Sequence, residues 1–207
     1  MEQQAEHFRF RQQVLFWENK FRSQGESYVG RKGEDFELQT KRIESLLRTR
    51  LQVSDFYKNA LDFGCGCGRM LPFLSQFCGH LWAADIMPSV LMNASKVVPN
   101  VTAFQIGFPL KFPWREPRID FLWVGLVFQH LTDEPIFRDA CEELKRVLRP
   151  GARVLILDNG VDRAPHVMPR GPERLGAALN LALGWHAEKA TINNAPGDHW
   201  LLDGKKA

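Results

Sequence analysis

Apolar positions recur along this chain with two different periods. Near the start, Phe10, Val14, Trp17 and Phe21 share one face at helical spacing, which predicts an amphipathic helix that Gly25 and Gly30 bring to an end. A polar, glycine-bearing loop from Gln24 to Glu34 follows, and then a second helical face of Phe36, Thr40, Ile43, Leu47 and Leu51. Beyond it, short apolar runs alternate with helical stripes. Runs at 60–63, 81–86, 101–106, 119–127 and 153–158 have the length and content of buried strands. Between them Met70, Leu71, Leu74, Phe77 and Cys78 form one helical stripe, with Pro72 tolerable only in a first turn. A second helix is predicted over 88–98. A third has Ile136, Phe137, Ala140, Cys141, Leu144, Val147 and Leu148 on its core face and Thr132 or Asp133 as its cap. The run from Phe121 to Phe128 holds only apolar or glycine positions, as a central strand buried on both faces requires. Pro109, Pro113 and Pro117 impose a long irregular connection before it. A Pro- and Gly-rich loop at 160–172, a helix near 173–184 and an antiparallel hairpin around Ala195-Pro196-Gly197-Asp198 complete the chain.

Strand and helix alternating five times predict an α/β fold: a mostly parallel sheet with helices on both faces, a three-layer Rossmann-like sandwich. Residues 1–54 supply two helices and an expected lid, and residues 55–207 the core of the same domain. The chain has 207 residues, 44% of them hydrophobic and 25% charged, which places it with ordinary globular proteins. No apolar stretch approaches the roughly 20 residues that a membrane helix needs. The polar start, MEQQAEHFRFRQQ, lacks the apolar centre of a signal peptide, so a cytoplasmic location is expected. A net charge of +3, from 27 basic and 24 acidic residues, permits nucleic acid without suggesting it. Cysteines 65, 67, 78 and 141 match neither a zinc spacing nor a disulfide framework and read as small apolar residues, so no metal site is expected.

Gly64-Cys65-Gly66-Cys67-Gly68 follows a strand and precedes a helix, the place where doubly wound folds bind nucleotide-like ligands. Glycines there let the backbone approach a ligand and are expected to leave amide groups free for it. Asp85 ends the next strand, where a carboxylate can accept both hydroxyl protons of an adenosine ribose. A dinucleotide fingerprint would read G-x-G-x-x-G, but Arg69 stands where its third glycine would fall. That side chain crowds a pyrophosphate and suits a smaller amino-acid moiety.

These residues resemble the class I S-adenosylmethionine-dependent methyltransferases. LDFGCGCGR at 61–69 resembles that family's first motif, AADIMPSVLMNASK at 83–96 its ribose-binding segment, and IDFLWVGLVFQHLTDEP at 119–135 the fourth-strand segment beside the reacting methyl. ELKRVLRPGARVLILD at 143–158 is similar to the helix, turn and fifth strand of the same superfamily. The resemblance implies a seven-stranded sheet whose last two strands are the C-terminal hairpin, with Lys205 and Lys206 just beyond it. It implies S-adenosylmethionine as cofactor, held by Asp62, Gly64, Cys65, Gly66 and Gly68, with Asp85 and Ile86 at the ribose and adenine. Gln105-Ile106-Gly107-Phe108 lacks the acid that many members set against the adenine, leaving that contact to the backbones of Gly107 and Phe108.

Methyl transfer asks mainly for alignment and water exclusion, with a base where the nucleophile must lose a proton. His130, just past the fourth strand, is the candidate base, since an imidazole with a pKa of about 6.5 suits that task. Asp133 reads as a helix cap. Tyr28 and Arg31 sit in the expected lid, able to meet substrate or the cofactor's carboxylate, while Trp17 and Phe21 read as packing. The expected function is methyl transfer to a small-molecule acceptor, with oxygen as the expected nucleophile because a histidine base serves it best. Nucleic acid and membrane are not expected partners. Two alternatives stand beside this reading: a nicotinamide-dependent oxidoreductase, which the glycine spacing disfavours, and a non-catalytic cofactor-binding or RNA-associated module.

Overall fold

A computed structural model of the chain describes residues 2–25, 36–159, 175, 185–191 and 199–206. Its elements are α1 (Glu2–Gln24), α2 (Phe36–Arg48), β1 (Tyr57–Phe63), α3 (Leu71–Leu74), β2 (Cys78–Asp85), α4 (Pro88–Ala94), β3 (Val101–Gln105), β4 (Ile119–Gly125), α5 (Glu134–Val147), β5 (Leu148–Asn159), β6 (Trp185–Thr191) and β7 (His199–Lys206). One sheet runs in the order β3-β2-β1-β4-β5-β7-β6. The strands from β3 to β5 pair in parallel, whereas β7 pairs antiparallel with both β5 and β6.

The central strands are apolar on successive residues because each face of the sheet has its own core. Leu61, Phe63, Leu122, Val124, Val154 and Ile156 turn toward α5 and the connection after β3. Their neighbours Ala60, Phe121, Trp123, Leu155 and Leu157 turn the other way, toward α3, α4, Leu47 of α2 and Trp17 of α1. Fully burying one such side chain contributes roughly 1.5–3 kcal/mol, so the two-sided burial of β1 and β4 anchors the sheet.

The proline-bearing connection before β4 is pinned by a buried carboxylate. Glu143 of α5 accepts from the Phe112 amide at 2.7 Å and from Arg146 at 2.5 Å. Arg146 in turn donates to the carbonyls of Trp114 and Arg115. Asp133 caps α5 as expected, accepting from the Ile136 amide at 3.3 Å.

Several boundaries differ from the sequence reading. The stripe after the glycine turn is α3, only four residues long, followed by a 3-10 turn at Ser75–Phe77. Cys78 already belongs to β2, because Tyr57 of β1 pairs with it in the sheet. β4 stops at Gly125 rather than Val127, since Leu126 takes a positive φ of 61° and turns the chain out of the strand. β5 begins at Leu148, where Ile119 gives it a partner, and not at Arg153. Lys205 and Lys206 lie within β7, paired with His186 and Trp185, rather than beyond the hairpin. The expected lid residues Tyr28 and Arg31, the loop at 160–172 and, apart from position 175, the helix near 173–184 lie outside the described residues.

Candidate active site

The parallel strands end together on one edge of the sheet, and a cleft opens there enclosing about 1130 Å³, part of it open to solvent. One end of its wall is the glycine turn, with Gly64, Cys65, Gly66, Cys67 and Arg69, beside Asp85 and Ile86 at the end of β2. The other end is Gln129, His130 and Leu131 after β4, with Phe10, Gln13 and Trp17 of α1 laid across them.

The glycine turn is shaped by close packing. Gly64 has a φ of +81°, and a β-carbon there would stand 2.3 Å from the Val127 side chain. Gly68 has a φ of +89°, and its β-carbon would press on the α4 backbone at Ala94, 3.2 Å away. Only glycine meets both demands. The expectation of free amides is corrected. Gly64 and Cys65 both donate to the Ala84 carbonyl, Gly68 donates to Cys65, and Gly66 donates to the Asp85 carboxylate at 2.9 Å. The turn folds back on β2 and engages these four amides itself, and α3 is too short to add much of a dipole. What the turn offers a ligand is a bare backbone surface.

Asp85 is only 7% exposed, with its second oxygen accepting from the Met87 amide at 3.0 Å. Burial raises its pKa, against the pull of these backbone donors. Asp62, on the neighbouring strand, lies beneath the turn. Burial first, and the nearby Asp85 second, push its pKa up to about 8, with Arg69 opposing. Asp62 and Gly68 support the cleft wall without lining it. Gly107 and Phe108 are absent from the wall too. The chain turns there so that Ile106 and Leu110 face the cleft and the Phe108 ring packs on Phe10, 5.8 Å between centroids. Arg69 does line the wall, its guanidinium 5.1 Å from the ring of Phe36, the first residue of α2.

Leu126 carries a left-handed backbone that costs a non-glycine residue roughly 1–2 kcal/mol. Its amide is secured by the Leu157 carbonyl at 2.7 Å. The turn directs Val127 to Leu131 across the strand ends, which brings Gln129 and His130 into the wall. His130 meets Trp17 edge to face, 4.6 Å between ring centroids. Its carbonyl accepts from Gln13 Nε2, and its Nε2 lies 3.3 Å from Gln129 Nε2. Arg9 pairs with Asp133, and Glu18 accepts from the Ser89 amide at 3.3 Å. α1 is thus tied to both rims of the cleft.

Trp17 therefore lines the cleft as well as packing, which its spacing alone does not reveal. Gln13 was missed, although an amide at i+3 from Phe10 and i−4 from Trp17 interrupts an apolar face and is a readable signal. Gln129 carries no such mark.

Residues 61–156 match the methyltransferase domain family. That match covers just under half of the chain. Solved structures of this fold align over most of their length. The N-methyltransferase NodS of Bradyrhizobium japonicum WM9, in complex with S-adenosylhomocysteine, is 21% identical, covering 94% of this chain and 98% of its own, with a TM-score of 0.73. An S-adenosylmethionine-dependent methyltransferase of Mesorhizobium loti is 14% identical, covering 78% and 96%, at 0.64. One from Aquifex aeolicus is 20% identical, covering 84% and 100%, at 0.61. None of the curated proteins compared with the chain is significantly similar. Among its described residues no helix is long and apolar enough to cross a membrane.

Proposed function

We propose that this chain is an S-adenosylmethionine-dependent methyltransferase acting on a small molecule held between His130 and α1. The observation that carries the reading is the course of the cleft, from the glycine turn and Asp85 at one end to His130, Trp17 and Gln13 at the other. α1 covers the acceptor end, leaving a space suited to a compact ligand rather than a polymer.

The wall fits the cofactor. Gly66, with a φ of +53°, offers bare backbone to its methionyl part, and Arg69 supplies a cation for its carboxylate. Asp85 stands where the ribose hydroxyls would donate, each carboxylate oxygen still having a lone pair beyond its backbone donor. Ile86 and Ile106 form an apolar slot for adenine, in place of the backbones of Gly107 and Phe108. Asp62 acts through the turn above it. When bound, S-adenosylmethionine supplies a methyl group activated by its sulfonium. The protein's work is to align the acceptor, exclude water with α1 and remove a proton at His130. A histidine base serves an oxygen acceptor best, since a hydroxyl must lose its proton as it attacks.

Calorimetry and label transfer test this reading together. S-adenosylhomocysteine is expected to bind and NAD not to, and labelled methyl groups are expected to enter a small molecule of a metabolite extract. Binding without turnover across broad extracts, or label passing only into RNA or protein, would overturn it.

A further inference from the structure

We infer that the acceptor is an uncharged aromatic hydroxyl compound of the phenol class, taken up by apolar and aromatic contact. This deepens the proposed methyl transfer in the same cleft and rests on it. The charged side chains among the described residues of the wall are Asp85 and Arg69. Both stand at the glycine-turn end, where the cofactor's ribose and carboxylate would engage them. Around His130 the wall is Phe10 and Trp17 of α1 with Leu131 and Ile136.

The two glutamines at that end do not change its character, because both turn their polar groups into the protein. Gln13 Nε2 donates to the His130 carbonyl, and Gln129 Nε2 donates to the Leu126 carbonyl at 3.3 Å. Neither Oε1 reaches solvent, so neither can receive a hydrogen from a ligand in the cleft. A carboxylate or ammonium placed there would exchange its water for apolar surface and find no opposite charge, a heavy cost. A neutral ring gains instead, since packing aromatic surface against Phe10 and Trp17 releases water from both partners. The ties of α1 to the two rims, Arg9 with Asp133 and Glu18 with the Ser89 amide, hold this cover in place.

Acidity points the same way. A phenol has a pKa of about 10, as tyrosine does, and asks less of a base than an aliphatic alcohol. In the transfer an oxygen lone pair forms the bond to the methyl carbon, the carbon–sulfur pair leaves on sulfur, and the phenol proton passes to the proposed base. The products are an aryl methyl ether and S-adenosylhomocysteine.

Two measurements test this. In the metabolite extract the labelled product, an ether without charge, is expected to pass into ethyl acetate at neutral pH. On the protein loaded with S-adenosylhomocysteine, calorimetry compares para-ethylphenol with tyramine and para-hydroxyphenylacetate, which carry the same phenol ring and end in an ammonium or a carboxylate. The ethylphenol is expected to bind at least roughly tenfold more tightly than either. Leu131→Lys sets a cation at the acceptor end and should turn the preference toward para-hydroxyphenylacetate. Label that enters small molecules but stays in water overturns the inference. So does para-ethylphenol binding no better than a charged probe, including no binding by any of the three, or an unchanged preference in the Leu131→Lys variant. Failure to bind S-adenosylhomocysteine at all, or label entering no small molecule, would instead remove the proposed function on which it rests.

Discussion

Asp85 joins two roles that the sequence separates. It stands in the cleft wall as the expected ribose acid, and it also ties the Gly66 amide to the end of β2. Asp85→Ala should weaken S-adenosylhomocysteine binding at least tenfold, about 1.4 kcal/mol, because a buried charged acceptor is lost and the turn is loosened at once. Titration calorimetry reads this directly, and unchanged affinity would remove the ribose from this position. His130→Ala should behave differently. Turnover is expected to fall roughly a hundredfold, the contribution of a positioned base, while affinity for S-adenosylhomocysteine stays within about threefold. Equal losses in both would make the histidine a packing residue against Trp17. Position 130 was legible in the sequence, being two residues past a run of strand character. Its neighbours were not, because Leu126 reads as one more apolar strand residue and only its positive φ turns Gln129 and His130 across the strand ends.

At the scale of elements, α1 shows what a helical period leaves open. Its apolar face marks a helix that must bury Phe10 and Trp17, but a stripe does not state what it will be buried against. The expected lid lay in the following loop, whose Tyr28 and Arg31 fall outside the described residues, whereas α1 itself crosses the cleft. α5 shows the converse. Its core face and its cap were plain from periodicity and from Asp133, yet nothing local marked Glu143 as the residue that holds the connection before β4. Its carboxyl is held below the ordinary range: burial raises it, but donors from Arg146, Phe112 and Lys111 outweigh that. Glu143→Ala should therefore cost about 2–3 kcal/mol by leaving the Phe112 amide and Arg146 unmet. Chemical denaturation checks this, and a loss within the range of a surface substitution would show the connection to be held by its aromatic packing alone.

Across the whole molecule, stability depends on pH through a buried group that the site itself introduces. Asp62 ionises normally in the unfolded chain, but burial and Asp85 push it up to about 8 in the folded one. Between the two values the folded state keeps a proton that the unfolded state has released, so stability falls as pH rises through that window. Asp62→Asn removes this dependence. Without ligand, the variant should gain in melting temperature over the parent on going from about pH 5 to about pH 8. Thermal melts at the two values decide it, and parallel pH profiles would show Asp62 to be ionised in the fold. Glu143 works in the opposite sense, its stabilisation being lost only as pH falls below the ordinary carboxylate range.

The order of strands and helices, the glycine turn between β1 and α3 and the acid ending β2 were determined by the sequence itself, because each rests on contacts among near neighbours: a period, a breaker, a residue that alone tolerates a turn. Tertiary structure decided the rest. Sheet pairing lengthened β2 and β5 and drew the two lysines into β7, since a strand extends as far as its partner offers hydrogen bonds. The turn's amides closed on β2 instead of staying free. α1 settled on the strand ends, bringing Gln13 and Trp17 onto His130 from far along the chain. These outcomes depend on which surfaces meet, and no local pattern carries that information.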